Sequence, residues 1–271
     1  MRKLLTFTVV ISGFLALFIL IKHKIIEKPQ VIQENINIKE PETKKFDIAI
    51  IKKINEENSK IKSVIIKSMP VKVTNGSMSF RLTGDLSHKK DKFFRFILTS
   101  KLTGREMDLG SNDEIFWFWS KRMAQPALYF SKHEDLWKTN LKTPLNPSWM
   151  IESLNVGIID QSKIYGSNDD GIYLYLYEKR KNAVGEDCIF MTIINKKQEN
   201  VWSRKLLDES GKTIVSTFYN GDIIFMDWKD ENVSMEWNVK NKQTNVDLSE
   251  SMWKLPDYKK KINMAEQSLV K

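Results

Sequence analysis

Asp108-Leu109-Gly110-Ser111-Asn112-Asp113-Glu114-Ile115-Phe116-Trp117-Phe118-Trp119 is the stretch from which the rest of the chain can be read. It joins two short apolar runs. Before it, Lys101 to Leu109 reads as a strand with a Thr103-Gly104 kink, and after it Ile115 to Trp119 is an unbroken aromatic run. Gly110, Ser111, Asn112 and Asp113 are turn-forming residues: Gly tolerates positive φ, and Asn and Asp bond their own backbone. The pattern predicts strand, tight turn, strand. Successive strand residues point to opposite faces, so Phe116 and Phe118 share one face and Ile115, Trp117 and Trp119 the other. A strand with large rings on both faces is covered on both faces.

Outward from this stretch the signal is β. Ser63 to Val73 is rich in Ile and Val, and Asn75-Gly76 is a hairpin turn. Ser77 to Leu82 alternates, with Met78, Phe80 and Leu82 on one side, and Gly84-Asp85 is expected to end it. Phe93 to Leu102 and Ala127 to Ser131 complete the first half. In the second half Ile172 to Tyr177 reads Ile-Tyr-Leu-Tyr-Leu-Tyr, with an aliphatic face and a tyrosine face expected to lie outside. Cys188–Ile194, Val201–Leu207, Ile214–Tyr219, Ile223–Trp228 and Val233–Val239 follow, separated by polar turns. Turns every 8–12 residues predict one antiparallel sheet that curls into a barrel or half-barrel. Helical periodicity appears twice. Phe46 to Lys60 places Ile50, Ile51 and Ile54 on one side, with Asp47 near the start; Ser148 to Leu154 forms a short insert between strands.

The 271 residues divide accordingly. Leu4 to Ile21 is eighteen residues without a charge, about 27 Å as a helix, flanked by Arg2 and Lys3 and by Lys22, His23 and Lys24. With no small-residue cleavage motif after Leu20, residues 1–24 read as a transmembrane signal anchor, a cleaved signal peptide being the alternative. Residues 25–45, with Pro29 and Pro41, read as a tether; 46–258 as the β domain; and 259–271 as a polar tail. Positive charge on both sides of the segment orients it weakly; a short N-terminal tail that stays in the cytoplasm leaves the large domain on the extracytoplasmic side.

Composition narrows the function. The net charge is +9, but setting aside the four basic residues around the anchor leaves 39 against 34 acidic ones, dispersed and poor in Arg. That is not a nucleic-acid-binding face. The single Cys188 allows no internal disulfide and reads as a small buried hydrophobe. The three histidines, His23, His88 and His133, form no zinc-ligand spacing, and no nucleophile elbow or phosphate loop occurs. Gly166 to Gly171 reads as a turn rather than a calcium loop. Asp108, Asp113 and Glu114 read as ordinary charges at strand ends. The sequence therefore predicts no catalytic residues, metal or cofactor.

Several pieces resemble, in order, the outer-membrane lipoprotein-sorting (LolA/LolB-like) family of periplasmic carriers. They are Phe94-Arg95-Phe96, then Asp108 to Asn112 with Phe116 to Trp119, then Asn146-Pro147-Ser148-Trp149-Met150-Ile151-Glu152, and finally Asn245 to Pro256; together they span Phe46 to Pro256. The resemblance implies a strongly curved, mainly antiparallel β half-barrel with a few covering helices, enclosing an apolar cavity for acyl chains. It departs from the family in its transmembrane segment, and no position matches the family's lid arginine or exposed loop leucine. Alternation and aromatic bulk nominate Phe80, Phe96, Trp117, Trp119, Trp149 and Trp237 as cavity residues. The expected function is binding of lipid or lipoprotein acyl chains, with a role in lipoprotein sorting. The alternatives are an envelope scaffold with a filled β core and unknown protein partners, or a hydrolase with a dispersed site.

Overall fold

The computed structural model describes residues 46–90, 92–123, 125–139, 147–182 and 185–268. The anchor and tether expected at 1–24 and 25–45 lie outside the described residues. Among the described residues no helix is long and apolar enough to cross a membrane.

Among the described residues fifteen strands form one sheet, mainly antiparallel. The first meander is β1 (Ser63–Asn75), β2 (Met78–Lys89), β3 (Phe93–Ser100), β4 (Gly104–Ser111), β5 (Ile115–Ser120) and β6 (Leu128–Lys132). The chain then passes through the short helix α2 (Pro147–Glu152) to the opposite edge of the sheet. There a second meander begins: β7 (Ile164–Asp169), β8 (Tyr173–Lys181), β9 (Asp187–Asn195), β10 (Asn200–Leu207), β11 (Thr213–Asn220), β12 (Ile223–Trp228) and β13 (Val233–Asn238). It works inward until β13 pairs with β1, so the two meanders meet at mid-sheet. β14 (Gln243–Thr244) continues the β13 register along the first part of β1. The interruption falls opposite a bulge in β1, where Ser68 takes φ 52° and its N–H is held by Asp85 Oδ1 at 2.8 Å.

Three differences from the sequence-based expectation have physical causes. Gly110 and Ser111 stay in β4, and the turn shifts to Asn112–Glu114, where Asn112 Oδ1 accepts from the Glu114 and Ile115 N–H groups. Gly110 is small because the Trp117 indole lies across it: a Cβ there would sit 2.1 Å from Trp117 Cζ2. Likewise Gly84 does not end β2, which runs through it. A Cβ at Gly84 would meet Phe96 and Val71 at 2.9 Å, so this glycine serves close packing rather than a turn. Finally, the expected polar tail continues the fold. β15 (Lys261–Asn263) pairs parallel to β6, and α3 (Met264–Ser268) follows, with Met264 and Ala265 buried.

The sheet curls. Phe96 on β3 and Trp237 on β13 are separated by β1 and β2, about 14 Å in a flat sheet, yet their ring centroids lie 5.0 Å apart. The residues facing this concave side form one large buried cluster from β1 through β13. Helix α1 (Ile48–Ser59) covers the second meander on the same side. Asp47 caps it, accepting from Ala49 N–H at 2.9 Å, and Ile50, Ile51 and Ile54 pack on Ile164, Leu174, Leu176 and Ile194. The edges β7 and β15 do not pair with each other, so the sheet is open.

The convex face carries two further clusters. On β8–β10, Tyr175, Tyr177, Met191, Ile193 and Leu207 are buried together, so the tyrosine face is the outer one, as expected from alternation. Ile172, assigned to the opposite face of this strand, instead lies in the preceding turn and is exposed. On β1 and β3, residues 245–258 cross the sheet as a strap. Leu248 and Trp253 pack on Ile65 and Phe93.

Candidate functional site

The concave face is the candidate site, and it is built from alternation. In β3, β4 and β5 the inward positions are Phe94, Phe96 and Leu98, then Met107 and Leu109, then Phe116 and Phe118. In β12 and β13 they are Ile224, Met226 and Trp228, then Val233, Met235 and Trp237.

The segment that begins at Pro147 lies across this face. α2 puts Trp149 and Met150 into the concave cluster, and Leu154 and Val156 follow. Trp149 meets Phe190 of β9 edge-on at 6.0 Å, and α2 also approaches β4, so the insert bridges the two halves of the sheet. Ser153 Oγ bonds the Trp149 carbonyl at 2.8 Å and lies 3.1 Å from Thr217 Oγ1 on β11. Beyond it, Asn55 of α1 brackets Ile159, donating to its carbonyl and accepting from its N–H.

The insert is also tied to the sheet by charge. Glu152 accepts from Arg180 Nη1 of β8 at 2.9 Å through one carboxylate oxygen and from Arg204 Nη1 of β10 through the other. Arg180 additionally pairs with Glu178 at 2.8 Å, and Arg204 Nη2 donates to Asn155 at 3.1 Å. The Arg180 guanidinium lies over the Phe190 ring, 3.7 Å from its centroid. Burial pushes the Glu152 carboxyl upward, but the charges of Arg204 and Arg180 more than offset this and hold it below its ordinary value. Burial pushes the neighbouring Tyr219 hydroxyl up; that hydroxyl donates to the Glu152 carbonyl.

Of the six nominated residues, the structure brings Phe96, Trp149 and Trp237 into the concave cluster, with Phe80 partly buried against it. Trp117 and Trp119 are a correction. Register pairs Trp117 with Gly110 and Trp119 with Asp108, and that face of β4 and β5 is convex. Trp119 stacks on Tyr258 of the strap at 5.0 Å. Beside it the buried Asp108 takes a two-point contact from Arg95, 2.9 Å at Nη2, and a second arginine, Arg105, at 3.3 Å. Arg95 Nη1 also donates to the Met252 carbonyl, so Asp108 organises the seat of the strap and is no lone charge at a strand end.

Sequence reasoning missed Glu152, Arg180 and Arg204. One signal for Arg180 was present: Leu174, Leu176, Glu178 and Arg180 share one parity, so an acid and a base continue an inward apolar row. Arg204 was concealed by the register shift between Val201 and Ser203. Leu102, at the β3–β4 turn, is 93% exposed. Cys188 is buried and burial raises its thiol pKa; its Sγ donates to the Arg180 carbonyl. His88 is buried in β2 against the Phe93 carbonyl, and half-buried His133 contacts the Asn112 carbonyl at 2.8 Å. Among the described residues no group of three or more His, Cys, Asp and Glu side chains is placed to hold a metal ion.

No family model matches the chain, and no curated protein matches its sequence. Solved structures similar to it include a LolA superfamily protein from Nitrosomonas europaea, 10% identical with a TM-score of 0.48, covering 76% of this chain and 97% of that one. A DUF1329 family protein from Desulfovibrio piger is 10% identical with a TM-score of 0.49, covering 76% and 94%. An outer membrane lipoprotein-sorting protein domain from Vibrio parahaemolyticus is 10% identical with a TM-score of 0.41, covering 74% and 94%.

Proposed function

We propose that this protein is an extracytoplasmic binding protein for the acyl chains of lipids or lipoproteins, held at the membrane by residues 4–21, and that it does no chemistry. The observation that carries this reading is the concave face. One apolar cluster on it reaches from β1–β6 to β9–β13, and this cluster is covered by a short insert rather than a second sheet. Withdrawal of the insert would offer that face to an acyl chain. Each CH₂ buried contributes about 0.8 kcal/mol, so ten of them contribute roughly 8 kcal/mol. The indole N–H groups of Trp149, Trp228 and Trp237 are buried in this cluster without a hydrogen-bond partner, and an ester or amide carbonyl of a ligand would satisfy such a donor.

A second reading, an envelope scaffold with a filled core, is favoured by the complete burial of Trp228 and Trp237. One experiment separates the two. Cells expressing the full chain are fed a photoactivatable fatty acid, irradiated, and the labelled peptides mapped. Labelling of peptides containing Phe96, Trp149 or Trp237 is the expected result. Labelling confined to residues 1–45, or absent, would leave the scaffold reading.

A further inference from the structure

The ionic group beneath the insert is unusual in where its partners reside. Arg204 projects from β10 into the concave face and is almost fully buried, 3% exposed at its side chain. Both of its acceptors, Glu152 and Asn155, belong to the insert, and its Nε has no partner. Arg180 spends one arm on Glu178 of its own strand and the other on Glu152. Two guanidinium groups thus close on the two oxygens of one carboxylate, an arrangement that suits a phosphate as well as a carboxylate. The four charges balance only while Glu152 is present. Without it, Arg180 and Arg204 face Glu178 alone, and the surplus positive charge sits next to an apolar surface.

We propose that Arg180 and Arg204 form the binding site for the phosphate of an anionic lipid headgroup, and that Glu152 occupies this site as an internal stand-in while the insert is seated. The proposal rests on the acyl-chain reading above and adds the headgroup to it. An incoming phosphate would replace the Glu152 carboxylate on both arginines, and the insert would lose its ionic tie as the ligand gains it. Acyl chains then lie along Phe190 and the concave face, and the charged end remains at the arginine pair. A buried arginine whose acceptors both leave with a movable segment is otherwise costly, because its charge stays behind unpaired.

The test uses the full chain reconstituted in phosphatidylcholine vesicles doped with photoactivatable phosphatidic acid or photoactivatable phosphatidylcholine. Labelling of concave-face peptides is compared for the wild type, Glu152→Gln and Arg180→Gln. Glu152→Gln is expected to raise the ratio of phosphatidic acid to phosphatidylcholine labelling about tenfold, the scale of one charge-assisted hydrogen bond gained. Arg180→Gln, at a more exposed position, is expected to bring the ratio close to one. Adding inorganic phosphate to Glu152→Gln should leave the ratio high, because free phosphate lacks the acyl chains; its collapse would show a site for free phosphate and overturn the lipid assignment. Equal labelling by both lipids in all three proteins would overturn the headgroup site and leave the acyl-chain reading intact. Absence of concave labelling by either lipid would remove both.

Discussion

Replacing Gly110 by Ala should destabilise the protein through a single contact. The added Cβ would sit 2.1 Å from Trp117 Cζ2 and 2.2 Å from Cε2, where ordinary contact begins at about 3.4 Å. Trp117 is fully buried, so its ring has no solvent to retreat into. The relief must come from an off-rotamer indole or a local parting of β4 and β5. Overpacking of this kind costs about 1–3 kcal/mol. For a domain of 150–250 residues each kcal/mol shifts Tm by about 2–4 °C, so the expected fall is roughly 2–12 °C. Urea unfolding followed by tryptophan fluorescence would measure it, and a double-mutant cycle would locate it. In a Trp117→Leu background the cost of Gly110→Ala should largely vanish, because the ring that crowds the Cβ is gone. An equal cost in both backgrounds, or a loss below about 0.5 kcal/mol in the wild type, would refute the argument that the indole reserves this position for glycine.

Other expectations follow from contacts already described. Arg95→Met should cost about 3 kcal/mol in urea unfolding, since Asp108 stays buried with only the more distant Arg105 beside it; a change under 1 kcal/mol would show that Arg105 suffices. The Glu152 carboxyl is held below its ordinary value of 4.5, so its contribution is present above that value and is lost as the pH falls through the lowered one. The wild type should therefore lose stability on acidification below about pH 4.5 more steeply than Glu152→Gln, and parallel curves would refute this. Asp47→Ala removes the cap of α1 and should cost about 1 kcal/mol, read by urea unfolding, with Asp47→Asn nearly neutral.

Much of the architecture was legible because a half-covered strand must alternate. Which residues of β2, β5 and β8 share a face is legible from bulk and polarity alone. What alternation cannot supply is which parity faces inward. At Phe116 to Trp119 both rows are aromatic, and the larger row was assigned to the concave side. The deciding residues were on the neighbouring strand: Asp108 and Gly110 oppose Trp119 and Trp117, and an acid beside a ring fits the polar seat of a strap better than an acyl cavity. The glycines at 84 and 110 misled for a related reason. A glycine reserved for an approaching side chain has the same local signature as a turn glycine, and the approaching atoms lie on another strand. β7 is hard to read from sequence because Gly166 to Asp169 is polar and glycine-led, although Gly166 and Ser167 are buried at the sheet edge. The Glu152–Arg180–Arg204 group joins residues 28 and 52 positions apart, across a strand whose register is shifted, so no local pattern contains it.

The meeting of β1 and β13 at mid-sheet has a consequence for synthesis. Residue 75 ends β1 and residue 233 begins β13, so a ribosome adding about 5–20 residues per second takes roughly 8–30 s between them. Through that interval the first meander can hairpin on itself, but the outer edge of β1 has no strand beside it and the Phe96 side of the sheet has no Trp237 to close on. An unpaired edge next to an apolar face is a template for pairing with other chains. The half-made protein is therefore open to mispairing along that edge for a span of seconds, until residues 233–238 arrive.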